Sequence, residues 1–171
     1  MKMITAALLL VTSLSFAQTS LAEGSGEPKE IAFAGETPAS IAAGVSVPAG
    51  RAFFLSGAIR SSPLKKDGAT VYDRFGDTYL QAVSCLKNLE EILVKQGLNL
   101  KDVIYLRASL VPDTTRGSRP DFPGWFTAYG EYFNTKKNPA KTVRSTVGVA
   151  ALVSPDWLIE LEAVAVYPRK E

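Results

Sequence analysis

The hydrophobic pattern changes period several times along the chain, and each change marks an element. From Asp77 to Gln96, the residues Tyr79, Val83, Leu86, Leu89 and Leu93 recur three and four apart, the spacing of one helix face. Asp77 can cap the start, and Gly97 stands just past the end. A second helix is expected from Phe122 to Phe133, where Phe122, Trp125, Phe126, Tyr129, Tyr132 and Phe133 form an aromatic stripe behind the N-cap Asp121. Such a stripe reads as core packing against a sheet. Strands are expected at "IAFAG", at Arg51–Ile59, at "DVIYLRASLV", at Val143–Leu152 and at Trp157–Val166. The stretch "SSPLKKDGATVYDRFG" reads as a loop with a short extended piece at "ATVY". The resulting order is strand, strand, helix, strand, helix, strand, strand. A sheet with both helices on one face satisfies it, an α+β layer architecture.

The strand Val143–Leu152 carries the first chemical question. Val143, Ser145, Val147, Val149 and Ala151 lie on one face, and Arg144, Thr146, Gly148 and Ala150 on the other. The pattern puts Arg144 away from the core, over a floor of small residues. A guanidinium there is usually a solvent-facing group with its stem on the sheet. It is also a planar fork of donors that suits a carboxylate. Glu160 and Glu162 share a strand face and read either as a polar outer surface or as carboxylates able to orient water. Ser56 and Gly57 end a strand as a turn, or as a hydroxyl and backbone N–H groups offered to a ligand.

Composition narrows the field. The 171 residues suit one compact domain. Residues 1–22 have a lysine near the start, an apolar run from Ile4 to Val11, and the small residues Ser20 and Ala22 before Glu23. They read as a secretory leader, since the run is too short to span a bilayer. Residues 23–30, "EGSGEPKE", read as a flexible linker, and 31–171 as a single domain. The expected mature protein is exported and periplasmic, with no membrane contact once the leader is removed. Its charge is close to balanced, which gives no electrostatic case for nucleic acid.

Cys85 is the sole cysteine and there is no histidine. An intrachain disulfide, a Ser–His–Asp triad and histidine-based or thiolate zinc sites are thereby excluded. Cys85 lies at the edge of an apolar helix face and reads as a semi-buried structural thiol. Neither GxGxxG nor a P-loop pattern occurs.

Read together, "FLSGAI", the block "DTYLQAVSCLKNLEEILVKQGLNLKDVIYLRASLVPD", "RSTVGVAAL" and "IELEAVAV" resemble the Rid (YjgF/YER057c/UK114) family, the reactive-intermediate deaminases. The resemblance runs from about Ile41 to Val166. It implies a chorismate-mutase-like subunit with a mixed sheet, a homotrimer, and ligand clefts between subunits. It also implies hydrolysis of enamines and imines, such as 2-aminoacrylate, to 2-keto acids and ammonia without metal or organic cofactor. By motif, the family's carboxylate-gripping arginine falls on Arg144 and its water-positioning glutamate on Glu160. Ser56, Gly57 and Thr146 fall on the cleft lining. Three positions depart from the family pattern: Ile41 replaces a tyrosine, Phe126 an asparagine, and Thr146 a cysteine. The segment "NPAKTVRS" is also longer than the family's "PARS". The competing expectation is a non-catalytic trimeric module that binds small carboxylates or acts as a holdase. Endoribonuclease activity, a third reading attached to this family, is disfavoured by the balanced charge and the missing histidine.

Overall fold

The structure is a computed structural model that describes residues 26–35 and 39–169. The leader expected at 1–22 and the first residues of the expected linker lie outside the described residues. Within that linker, Glu27 accepts a hydrogen bond from the Ala49 amide at 2.5 Å, and Lys29 accepts one from Arg169 through its carbonyl at 2.9 Å.

The described elements are β1 (Ala32–Ala34), β2 (Gly44–Ser46), β3 (Phe53–Leu55), α1 (Val71–Phe75), α2 (Thr78–Lys95), β4 (Val103–Leu110), α3 (Phe122–Tyr132), β5 (Val143–Gly148) and β6 (Ile159–Val166). Strands β1 and β2 form a small antiparallel ribbon. The main sheet has the order β3-β6-β4-β5, parallel only between β4 and β5. It is therefore a mixed sheet with α2 and α3 on one face, the arrangement that satisfied the expected element order.

Helix α2 begins at Asp77, whose carboxylate accepts from the Leu80 amide at 3.0 Å, and stops before Gly97, whose φ of +72° a side chain would strain. Its buried face, including Ala82, Cys85, Leu86, Leu89 and Leu93, lies on the sheet beside α3. Strands β4 and β6 meet it with Leu106, Ala108, Leu110, Leu161, Ala163 and Ala165, all essentially buried. Trp125, Tyr129 and Phe133 of α3 complete that core.

Several expectations change. "ATVY" is not extended: Thr70 caps α1, accepting from the Asp73 amide while the Asp73 carboxylate accepts from the Thr70 amide. This reciprocal pair offsets the β-branched residues around it. The strand expected over Arg51–Ile59 is interrupted. Ser56 pairs with Ala163 and Ile59 with Leu161, so Gly57 and Ala58 together face the single residue Glu162. That is a β-bulge. The strand at 143–152 ends at Gly148, and β2 was not anticipated. Cys85 is fully buried, not half-exposed at the edge of a face.

The most consequential correction concerns Arg144. In the β4–β5 register, Arg144 stands beside Leu106, Thr146 beside Ala108 and Gly148 beside Leu110. Laterally paired residues share a sheet face, so Arg144 points to the side that carries the helices, not to the outer side. Val147, on the opposite face, is exposed.

Candidate functional site

A row of small residues on β5 lets α3 lie close. A Cβ at Gly148 would stand 3.2 Å from Pro120, at the turn that feeds α3. Asp121 then caps α3 by accepting from the Gly124 amide at 3.0 Å. The stripe thus lands on β5: Trp125 Nε1 donates to Thr146 Oγ1 at 3.1 Å. The Tyr129 hydroxyl shares a 3.1 Å bond with Thr142 Oγ1 and donates to the Ser40 carbonyl at 3.4 Å.

Arg144 sits in this aromatic setting. Its guanidinium carbon is 4.2 Å from the Tyr129 ring centre, 4.7 Å from Phe126 and 5.7 Å from Trp125. All three lie within the roughly 6 Å at which a ring face attracts a cation. Burial lowers the guanidinium's proton affinity below its ordinary value, with Tyr129 acting in the opposite direction. Burial likewise raises Tyr129, opposed by Thr142 and by Arg144. Among the described residues no oxygen accepts a hydrogen bond from the Arg144 guanidinium, and no carboxylate pairs with it. Ring faces hold the cation while its N–H edges stay available. The open side is a cavity of about 310 Å³ lined by Ser40, Phe126, Tyr129, Gly130, Phe133, Asn134 and Arg144.

The other expected site residues lie elsewhere. Ser56 is used by β6: its amide donates to the Ala163 carbonyl at 2.9 Å, and its hydroxyl accepts from the Ala163 amide at 2.8 Å. The neighbouring bulge amides of Gly57 and Ala58 have no acceptor among the described residues, and a Cβ at Gly57 would meet nothing within 4 Å. Glu160 stands beside Ser109 and Glu162 beside Arg107, whose Nε lies 3.9 Å from the Glu162 carboxylate. These residues occupy the sheet face opposite to Arg144.

One chain therefore divides the expected set into two groups. Arg144 and Thr146 stand on the β5 edge, while Ser56, Gly57 and Glu160 belong to β6 and the β3 edge. The edges are three strand spacings apart, about 14 Å. Ile41 packs against the core next to Ser40, and Ala42 continues alongside β5 by donating to the Thr142 carbonyl at 3.2 Å. The aromatic stripe concealed two roles at sequence level, because Trp125 and Phe133 are core whereas Phe126 is 45% exposed. Asn134 and Gly130 were missed altogether. Among the described residues no group of three or more Cys, Asp or Glu side chains is placed to hold a metal ion, and no helix is long and apolar enough to cross a membrane.

The fold and sequence match known proteins. Residues 35–167 match the family model described as Endoribonuclease L-PSP. The YjgF gene product of E. coli is 26% identical, with a TM-score of 0.53 over 71% of this chain and 85% of that one. YyfB of Yersinia pestis, a conserved Rid-family protein of unknown function, is 20% identical with a TM-score of 0.61 over 81% of this chain and 99% of that one. E. coli TdcF, solved with bound serine, is 24% identical with a TM-score of 0.54 over 71% and 85%. No curated protein matches the chain significantly. With the family model spanning most of its length and the same mixed sheet under two helices, the chain belongs to the Rid (YjgF/YER057c/UK114) family, the Endoribonuclease L-PSP family.

Proposed function

We propose that the protein hydrolyses imines and enamines of α-amino acids to 2-keto acids and ammonia, in clefts between the subunits of a homotrimer. The observation that carries this reading is Arg144: a half-buried guanidinium, held by ring faces, whose N–H edges meet no acceptor among the described residues. Burying such a cation is costly unless an anion meets it. A substrate carboxylate supplies that anion through two parallel bonds. The reaction balances with water alone. Water's oxygen bonds to the protonated imine carbon, the carbon–nitrogen bond breaks, and nitrogen leaves as ammonium.

In this reading Glu160 orients the water, and the free amides of Gly57 and Ala58 receive developing negative charge. Both are proposed to come from the neighbouring subunit, since Glu160 lies on the far face of its own sheet from Arg144 and the two amides lie at the opposite sheet edge. The protein is further proposed to act after export and leader removal.

The test is keto-acid and ammonia release from freshly generated 2-iminobutanoate. Wild type accelerates it, and Arg144→Ala does not. Arg144→Lys keeps the charge but loses the fork, and is expected to weaken carboxylate binding by roughly 1.5–3 kcal/mol. Glu160→Gln keeps binding and slows hydrolysis. Equal turnover by wild type and Arg144→Ala defeats the assignment.

A second reading has its own support: among the described residues no carboxylate lines the Arg144 cavity. A trimeric carboxylate-binding module without chemistry would bind keto acids through Arg144 and release no ammonia from any imine.

A further inference from the structure

We infer that the Arg144 cavity selects carboxylates bearing a planar apolar side chain, the aromatic imino-acid class, over short aliphatic ones. The inference rests on the carboxylate-binding reading of Arg144 and concerns what lies beside it.

Three residues along α3 and its end make the wall. Phe126 shares a helix with the buried Trp125, Tyr129 and Phe133, yet its ring is 45% exposed. The ring lies 4.7 Å from the Arg144 guanidinium carbon and is stacked on Phe122 at 6.4 Å. It is thus fixed in place as well as exposed, and it presents an apolar surface beside the cation. One turn on, about 6 Å along the axis, stands Gly130. A glycine inside a helix weakens it relative to alanine, and packing does not require one here, because a Cβ at Gly130 would meet nothing within 4 Å. That Cβ would project into open space on a helix residue lining the cavity. At the far end, Asn134 has a left-handed backbone with φ of +56° and is exposed, and its side-chain amide has no hydrogen-bond partner among the described residues.

The wall is therefore graded. A cation fixes a carboxylate, an aromatic ring stands next to it, a glycine clears a flat slot, and a polar group closes the end. A short aliphatic side chain leaves the Phe126 ring wet. A phenyl group covers it and slides over Gly130, gaining offset stacking and burial together. A cavity of about 310 Å³ stands at the lower end of the range for small-molecule sites, roughly 300–1,000 Å³, enough for one ring and its carboxylate.

The experiment is calorimetric titration of the purified protein with phenylpyruvate and with pyruvate, stable products of the two imine classes. Turnover of phenylalanine- and alanine-derived imines is measured in parallel. Wild type is expected to bind phenylpyruvate at least about tenfold more tightly, a discrimination typical of apolar pockets. Phe126→Ala reduces that ratio severalfold, and Phe126→Tyr retains it. Gly130→Ala raises the melting temperature while weakening phenylpyruvate more than pyruvate, a combination a purely structural glycine does not give. If both keto acids bind alike and Arg144→Ala loses both, the selectivity is overturned while the carboxylate reading stands. If Arg144→Ala binds both as wild type does, the carboxylate reading fails and the inference falls with it. If Gly130→Ala leaves the ratio unchanged, the slot has been placed wrongly.

Discussion

Thr146 ties the floor of the site to its wall by accepting the Trp125 indole N–H. Thr146→Val keeps the shape and removes the acceptor, leaving a donor on a fully buried ring without a partner. The expected cost is about 1–3 kcal/mol, read as a lower urea midpoint at unchanged slope. Cys85 makes a different residue-scale prediction. Its Sγ lies 3.9 Å from the Ile159 carbonyl, and burial, with a smaller contribution from Glu160, pushes the thiol far up. The folded chain therefore holds this proton where the unfolded chain, with an ordinary value of about 8.5, releases it. The stabilisation is full below that pH and is lost as pH rises above it, at up to about 1.4 kcal/mol per pH unit. Urea unfolding of wild type between pH 7.5 and 10 should show this decline, and Cys85→Ala should lack that share of it. A decline of equal slope in both proteins would assign it to other groups, Tyr129 among them.

At the scale of elements, the clearest sequence signals were those enforced by burial. Helix α2 has an apolar stripe, an aspartate cap and a left-handed glycine, and all three act as the spacing implied. What escaped the pattern did so for local reasons. Strand β2, Gly44–Ser46, has one large apolar residue and is held by pairing with β1. Segment 70–75 is rich in β-branched and aromatic residues, yet the Thr70–Asp73 box turns it into α1. Thr70→Ala should cost about 0.5–2 kcal/mol, again as a shift in urea midpoint. Arg144 was placed on the wrong face because alternation was read as apolar inside and polar outside. Strand β5 inverts this: it is an edge strand whose small residues admit α3, while Val147 faces the uncovered side. The assignment of Arg144 as the proposed carboxylate anchor came from the motif. Its ring cage was not, since the aromatic stripe looked like uniform core.

At the scale of the molecule, one sheet face lacks a covering layer among the described residues. Leu55 is 74% exposed and Phe53 55%, with Val147 on the same side. Exposed apolar side chains at both edges of an uncovered sheet face, with Glu160, Glu162 and Arg107 between them, fit a partner surface, and the proposed homotrimer supplies two further copies of the chain. Light scattering on the mature protein should give about three subunit masses, and intact mass of the exported form should start near Glu23, or near Gln18 if cleavage follows Ala17. The central claim is that Arg144 and Glu160 act together only across a subunit boundary, because one chain sets them on opposite sheet faces. Its most direct test mixes two impaired proteins, Arg144→Ala and Glu160→Gln, by unfolding and refolding them together. In a cyclic trimer every mixed assembly then contains one cleft with both wild-type groups, so an equal mixture should recover about a quarter of wild-type imine hydrolysis. A mixture no more active than the average of its parents, although mass analysis shows mixed trimers, would contradict the account.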